Sequence, residues 1–304
     1  MSCYRFHVSK VQIKQLIESR VSRNGLMETG INGVQLFRVT DPIRCAPAIY
    51  EPTVVAIVSG TKEAILDGQR HVYDRSRYLC CTMSMPVEAG TPSASPDHPL
   101  LGVYISLDTR VMTELAIEME SATGAIRNPG GGPLPQGLAL ARWDDAFTEA
   151  LLRLLQLGDS PADTAVLGEG RLRELYYAVL KGDAGDSARR AFGVGNEIAR
   201  AIASLSSRLD EAVTIEELAE KAGMSRAVFH RKFKQATTMS PIQFVKAMRL
   251  NHAAMKIAAG MNVNEAASQV GYVSSSQFSR EFKRMYGDSP RQWSHSVEGV
   301  GIRG

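Results

Sequence analysis

The residues best suited to recognise another molecule stand in the stretch GYVSSSQFSREF, residues 271–282. Read as a helix that begins at the serines, it places Phe278 and Phe282 four residues apart on one face, which predicts burial of that face. The opposite face presents short hydroxyls and a guanidinium, followed one turn later by an ammonium. Arginine can donate two hydrogen bonds to guanine in the DNA major groove, and serine can bond base edges or phosphates. This face therefore predicts contacts with double-stranded DNA through Ser275, Ser276, Ser279, Arg280 and Lys283.

The same pattern occurs about 48 residues earlier, in the stretch GMSRAVFHRKF, residues 223–233. Phe229 and Phe233 correspond to Phe278 and Phe282, and both stretches begin with glycine. By the same reasoning, the outward positions of this earlier helix are Arg226, Ala227, His230, Arg231 and Lys234.

Each copy follows the signals of a short helix and a turn. Thr214 and Glu217 have the spacing of a capping box, in which each side chain satisfies a free amide of the other residue. Asn262 and Glu265 repeat this spacing. A glycine then stands where a left-handed turn would end the first helix. Each copy is thus predicted to be a helix-turn-helix unit, and the uninterrupted segment 241–260 one long helix that fixes their separation.

Two recognition helices on a rigid spacer fit two successive major grooves on one face of DNA, about 34 Å apart. We expect Arg231 and Arg280 to contact bases, whereas Ala227 could touch only a thymine methyl group. Basic amphipathic helices also occur as solvated surfaces, but two copies with matching Phe pairs favour DNA binding. The expected phosphate contacts are Lys232, Lys234, Lys283 and Arg284.

The charge distribution supports a separate nucleic-acid module. The 304-residue chain has a formal net charge of +3. From Asn196 onward it carries 15 Lys and Arg against 10 Asp and Glu, whereas the first 195 residues carry 20 against 22. A basic C-terminal third attached to a mildly acidic remainder suits a DNA-binding domain joined to a different domain.

Membrane and export functions are not indicated. No apolar run approaches the ~20 residues of a membrane span, and the first ten residues lack the apolar core of a secretory signal. No two cysteines form a CxxC pair, so neither a zinc site nor a disulfide framework is expected. We expect a cytoplasmic bacterial protein with reduced thiols, located at the nucleoid when bound to DNA. The cysteines are Cys3, Cys45, Cys80 and Cys81.

The first 190 residues have a different character. Short segments rich in Val, Ile and Tyr, separated by Gly, Pro or Asp, predict a β-sandwich or barrel. The pair Asp67-Gly68 predicts a hairpin turn. Helices are predicted at 108–121, 139–157 and 164–181, and a loop at 128–137 lacks the ending of a phosphate-binding loop. The predicted strands are 33–39, 53–60, 62–68, 69–74, 77–83, 86–90 and 100–107.

The C-terminal motifs resemble the AraC/XylS family of bacterial transcription regulators. The resemblance covers residues 196–294 and is most specific in AASQVGYVSSSQFSREFKRMYGDSPRQW, residues 266–293. It implies seven helices with two helix-turn-helix units, promoter binding, and activation through contacts with RNA polymerase. The groove-reading positions that it implies agree with the faces derived above, although Ala227 is smaller than the residue that members often carry there.

The segment APAIYEPTVVAIVSGTKEAILDGQRHVYDRSRYLCCTMSMPVEAG, residues 46–90, resembles the N-terminal domain of one branch of that family, and the resemblance extends over about residues 30–185. This implies a cupin-like β-barrel with a helical subdomain that senses a small-molecule effector, mediates dimerisation, or both. The expected chain is thus α+β, with this domain at 1–190, an all-α double helix-turn-helix domain at 196–294, and a tail at 295–304.

Candidate effector-binding residues combine polarity with inward placement, although a barrel interior is usually filled by core side chains. Glu51 can equally be a turn residue before Pro52. His71 and His98 stand apart from other ligands, so we expect no metal and no cofactor. The candidates are Tyr50, Glu51, Lys62, His71, Tyr73, Tyr78 and Tyr104.

Two other functions compete with an effector-controlled regulator. An enzyme could use Cys80 or Cys81 as nucleophile with His71 as base, but no orienting residue or oxyanion feature is evident. We therefore expect no catalytic residues, and a redox role for either thiol is a separate alternative. A regulator whose N-terminal domain binds a protein partner also remains open.

Overall fold

The structure is a computed structural model that describes residues 2–123, 136–193, 196–211 and 214–298, with side chains from Val8 to Ser294. The predicted loop at 128–137 and the predicted tail fall largely outside the described residues. Among the described residues, none of the helices is long and apolar enough to cross a membrane.

The N-terminal half is built on one antiparallel sheet. Ten strands are present in the described part of the chain. They are β1 (Gly25–Glu28), β2 (Val34–Val39), β3 (Ile43–Tyr50), β4 (Thr53–Ser59), β5 (Thr61–Leu66), β6 (Gln69–Asp74), β7 (Arg77–Cys81), β8 (Met85–Thr91), β9 (Leu100–Ser106) and β10 (Leu138–Arg142).

The sheet curls into a half-barrel. Its strand order is β1-β2-β9-β4-β7-β6-β5-β8-β3, and β10 pairs with β7 beside this path. Asp67 and Gly68 have φ angles of +48° and +77° and join β5 to β6, which confirms the predicted hairpin. The predicted barrel is therefore present as an open curl whose ends are β1 and β3.

Three strands lie outside the seven that the sequence predicts. β3 contains Pro47, which disfavours a central strand but is tolerated at a sheet edge. β10 occupies the start of the predicted helix 139–157, so that prediction is wrong over its first residues. The helix begins only at Asp145, because the Asp144 side chain caps it by accepting a hydrogen bond of 2.7 Å from the Phe147 amide.

Helices cover the convex face of the sheet. Tyr78, on β7, stacks on Phe147 with ring centroids 4.2 Å apart. Ile13 and Ile17, on the first helix, are completely buried. The helices here are α1 (Ser2–Arg20), α2 (Thr109–Thr123), α3 (Asp145–Gln156), α4 (Pro161–Lys181) and α5 (Gly185–Phe192).

The C-terminal domain contains seven helices within the described residues. The predicted inward phenylalanines Phe229, Phe233, Phe278 and Phe282 are at most 1% exposed, which confirms both buried faces. The predicted α+β class, with an all-α C-terminal part, is confirmed. The helices are α6 (Glu197–Ser206), α7 (Ile215–Lys221), α8 (Arg226–Thr237), α9 (Pro241–Ala258), α10 (Val263–Gln269), α11 (Ser275–Tyr286) and α12 (Pro290–Glu298).

A buried asparagine joins the two domains. Asn251, in the middle of α9, donates hydrogen bonds of 2.8 Å to the Ala48 carbonyl on β3 and 2.9 Å to the Val87 carbonyl on β8. Its amide oxygen accepts a bond of 2.6 Å from the hydroxyl of Tyr286, the last residue of α11. Asn251 is 1% exposed, so its side chain is fully used in attaching the long helix to the sheet.

Candidate nucleic-acid interface and effector site

The first helix-turn-helix unit consists of α7 and α8. Thr214 and Glu217 form the predicted capping box, with each backbone amide donating to the other residue's side chain. Gly223 has φ +64° in the turn, a conformation that glycine adopts without steric cost. Ser225 then caps α8, so that the recognition helix starts at Arg226.

The second unit, α10 and α11, differs at its start. Asn262 caps α10 by accepting from the amide of Asn264, and the Glu265 side chain instead accepts from Gln269. The predicted second capping box is therefore wrong, because Glu265 turns along its own helix. Ser274 caps α11, and the recognition helix begins at Ser275, as the sequence indicates.

The predicted DNA-contacting residues lie on the outer faces of α8 and α11. Ser279 is partly buried, and the other nine are exposed. Phe229 and Phe278 anchor the opposite faces in the core. The ten residues are Arg226, Ala227, His230, Arg231, Lys234, Ser275, Ser276, Ser279, Arg280 and Lys283.

The cations on these faces differ in their freedom. Arg226 forms an ion pair of 2.8 Å with Glu216 of α7. Arg231 and Arg280 form no ion pair or hydrogen bond with side chains that the structure describes. Their guanidinium groups are thus the donors most available to an external acceptor.

The spacer α9 has 18 residues, which corresponds to a helix of about 27 Å. Ser240 and Gln243 form a capping box at its start, with Pro241 in the first turn. The length is of the order needed to carry one recognition helix to each of two neighbouring grooves.

Arg249 ties the long helix α9 to the segment ahead of the first unit, a role that sequence periodicity did not reveal. Its guanidinium donates to the carbonyls of Leu209 at 2.9 Å and Glu211 at 2.8 Å, both ahead of the first unit. It also borders a cleft of about 580 Å³ between the units, lined in part by Ile242 and Tyr272. A guanidinium that bonds distant carbonyls has no signal in local sequence.

The sheet brings together several candidate effector residues. The hydroxyls of Tyr50 and Tyr73 lie 3.1 Å apart, and both side chains are buried. Lys62 is the cross-strand partner of Tyr73, and His71 lies two residues from Tyr73 on the same face. Burial raises the pKa of Tyr104, which interacts with the Thr53 side chain.

Two candidates are placed differently: Tyr78 lies on the other face of the sheet, and Glu51 lies at the surface, close enough to Tyr104 for its charge to raise the pKa of that phenol. Tyr78 points to the convex face and packs against Phe147, so it does not border the concave interior. Side chains alternate along a strand, and this residue falls on the helical side. Glu51 is exposed just after β3 and accepts a hydrogen bond from Ser84.

The thiols are poorly suited to nucleophilic chemistry. Cys80 and Cys81 are completely buried. Burial raises the pKa of Cys80 to about 12 and that of Cys81 well above its usual value, so both are protonated at neutral pH. In the described portion of the chain, His, Cys, Asp and Glu form no group of three or more that could hold a metal ion.

A curled sheet joined to two helix-turn-helix units on one long helix defines a DNA-binding transcription regulator. Residues 30–187 match the family described as "AraC-type transcriptional regulator N-terminus", and residues 218–296 match a helix-turn-helix domain. The first match covers more than half of the sequence. The chain belongs to the AraC family of transcription regulators, and this assignment does not support an enzyme that uses Cys80 or Cys81.

Individual relatives agree with this assignment. An HTH-type transcriptional regulator of Haemophilus influenzae is 44% identical over 27% of this chain and 28% of its own length. The HTH-type transcriptional activator RhaS of Escherichia fergusonii is 30% identical over 38% of this chain and 39% of its own. These alignments thus span well under half of the relatives' length.

A solved structure shares the whole fold. Unsaturated fatty acid-bound ToxT from Vibrio cholerae aligns with a TM-score of 0.53 over 88% of this chain and 96% of that one, at 12% identity. At this identity the similarity concerns the fold alone.

Proposed function

We propose that this regulator is a promoter-binding activator that inserts α8 and α11 into successive major grooves. One observation carries the proposal: exposed, unpaired guanidinium groups lie on both recognition helices, which are joined by a single capped helix of 18 residues. Arg231 and Arg280 read bases in this proposal. Lys232, Lys234, Lys283 and Arg284 position the duplex through its phosphates.

The N-terminal sheet is proposed to control this binding through a small-molecule effector. Its interior holds Tyr50 and Tyr73, and the strand that carries Tyr50, β3, contacts α9. Tyr50 stands two residues after Ala48, whose carbonyl accepts a hydrogen bond from Asn251. A ligand that displaced β3 would therefore act on α9. The fatty acid bound to ToxT supports the idea that this fold accommodates an effector.

The remaining parts of the proposal follow the family resemblance. The proposal also includes a cupin-like role for the sheet, homodimer formation, contacts with RNA polymerase and a cytoplasmic location. The activator name of RhaS supports activation over repression.

The direct test is to select genomic DNA fragments with the purified full-length protein and sequence them. We expect a motif of two elements separated by about 10 base pairs, one turn of DNA. The double variant Arg231→Ala, Arg280→Ala should lose the motif, whereas Lys14→Ala, a change in the N-terminal helix, should retain it. Fragments without a shared motif, or a motif unchanged in the double variant, would contradict the proposal.

A further inference from the structure

Lys62 is a cation without a counter-charge in the sheet interior. Its ammonium is surrounded by protein although part of the side chain reaches solvent, and burial lowers its pKa to about 8. It forms no ion pair or hydrogen bond with the residues that the structure describes. A buried ammonium is unfavourable unless it is paired, so this arrangement has a physical cost that the protein alone does not offset.

The nearest carboxylate along the strand, that of Glu63, lies on the opposite face of the sheet. Glu63, the neighbour of Lys62 on β5, points away from it and forms a two-contact ion pair with Arg70. Alternation along the strand therefore separates this acid from the interior cation.

A second unpartnered group lies beside Lys62. The Nε2 atom of His71 is buried and has no hydrogen-bond partner among the described residues. His71 pairs with Ala64, which lies two residues from Lys62 on the same face. The diagonal between Lys62 and His71 is about 7–8 Å between backbones, within reach of one small ligand group.

The tyrosine pair adds a third donor. Tyr50 and Tyr73 share one hydrogen bond, in which one hydroxyl donates to the other. Two hydroxyls carry two protons, so one proton remains available for another acceptor. The same face also carries apolar side chains, because Met85 pairs with Tyr50 and Val87 pairs with Ala48.

We propose that Lys62 binds the carboxylate of a small organic monoanion whose apolar body lies along the concave face of the sheet, with the Tyr50–Tyr73 pair and His71 bordering the same site. This inference rests on the proposed effector function and specifies the chemical class of the effector. An ammonium, an imidazole nitrogen and a free phenol proton together suit an acceptor-rich head group. The anion would supply the missing counter-charge.

The test uses the full-length protein and two carboxylates of different shape, octanoate and 4-phenylbutanoate, each compared with its uncharged amide. Binding is measured by isothermal titration calorimetry at pH 7. We expect each carboxylate to bind about tenfold or more tightly than its amide, since charge-assisted hydrogen bonds are stronger than neutral ones.

Three variants locate the effect. Lys62→Met should remove the preference for the carboxylate, and Lys62→Arg should retain most of it because the cation remains. Lys14→Met, at an exposed lysine of α1, is the matched control and should behave as the wild type. Thermal unfolding and binding to the selected DNA show that each variant is folded.

The proposal is overturned if neither carboxylate binds, if the amides bind equally well, or if folded Lys62→Met keeps the full preference. The wider proposed function is tested by other outcomes of the same experiments. Binding of the amides with a change in DNA affinity would retain an effector-controlled regulator while rejecting an anionic effector. Failure to bind any shared DNA motif would reject the proposed regulator independently of the calorimetry.

Discussion

The two helix-turn-helix units share a plan but are stabilised differently. Phe233 of the first unit packs edge-on against Phe244, and both belong to a core that continues into the sheet domain. Phe282 of the second unit contacts Trp293 within a smaller, separate core. The first unit is thus part of the main body, whereas the second depends chiefly on its own aromatic cluster.

Their attachments to the sheet domain also differ. The Gly137 amide donates to the Ala236 carbonyl near the end of α8, a single backbone contact of 2.8 Å. The second unit is attached through Asn251 and Tyr286, whose polar groups are mutually satisfied. Because the core of the second unit is separate from that of the sheet domain, we expect this side-chain connection to contribute more to its attachment than the backbone bond contributes to that of the first unit.

Repeated sequence motifs therefore need not give equivalent modules. On the recognition surfaces, Arg226 of the first unit is held by Glu216, and Ala227 offers only a methyl group. The second presents three serines and an unpaired Arg280. We therefore expect the second unit to supply more of the sequence specificity.

The largest expected effect is the loss of stability when a buried phenylalanine is removed from either core. Phe233→Ala and Phe282→Ala should each cost about 3–5 kcal/mol, since each removes a completely buried aromatic ring. Hydrogen exchange should show faster opening throughout the main body for Phe233→Ala but mainly across α10–α12 for Phe282→Ala. Identical exchange patterns in the two variants would show that the cores are not separate.

The next effect concerns the attachment of the second unit. Asn251→Leu should lower the free energy of unfolding by roughly 2–3 kcal/mol, because Tyr286 and two sheet carbonyls lose buried partners. Tyr286→Phe, which removes one of these bonds, is the graded control and should cost about half as much. Urea unfolding measures both, and equal stability of Asn251→Leu and the wild type would refute a structural role for this link.

Differences in DNA recognition should be somewhat smaller. Arg280→Ala should cost roughly 1–3 kcal/mol on the cognate site and relax preference at one base pair. Arg226→Ala should cost less, because its guanidinium is already paired with Glu216. Lys283→Ala is the control for phosphate contact and should weaken all sequences alike. Competition titrations with specific and random DNA distinguish these outcomes, and equal losses on both for Arg280→Ala would argue against base contact.

The smallest effect should appear at the helix starts. Thr214→Ala should cost about 1 kcal/mol, because it breaks a reciprocal capping box. Asn262→Ala should cost about 0.5 kcal/mol, since its side chain accepts a single local bond. Thermal unfolding of both variants with Ser207→Ala, outside either box, as reference would test this order. A larger loss for Asn262→Ala would reverse the comparison.

Much of the DNA-binding half could be predicted from sequence, because its signals are local. Thr214 and Glu217 are three residues apart, and each phenylalanine pair is four apart, so periodicity and capping chemistry suffice. The second box failed for a local reason too. Glu265 has Gln269 within reach on its own helix, an alternative of similar strength.

The sheet was harder to predict. β10 pairs with β7 across more than fifty residues, and the apolar run LALAR is equally compatible with a helix until its partner is known. The positions of Tyr50 and Tyr73 inside, and of Tyr78 outside, depend on strand register. A shift of one residue would exchange them.

The two helix-turn-helix units and their outward cations could be recognised from the sequence, because they depend on spacings of a few residues. The link of Asn251 between the domains, the bonds of Arg249 to the segment before the first unit and the lack of a counter-charge for Lys62 became visible only in the folded chain. Each of these features depends on contacts between strands and helices that are far apart in the sequence. Those contacts determine which groups are buried and hydrogen-bonded, and local residue type does not predict them.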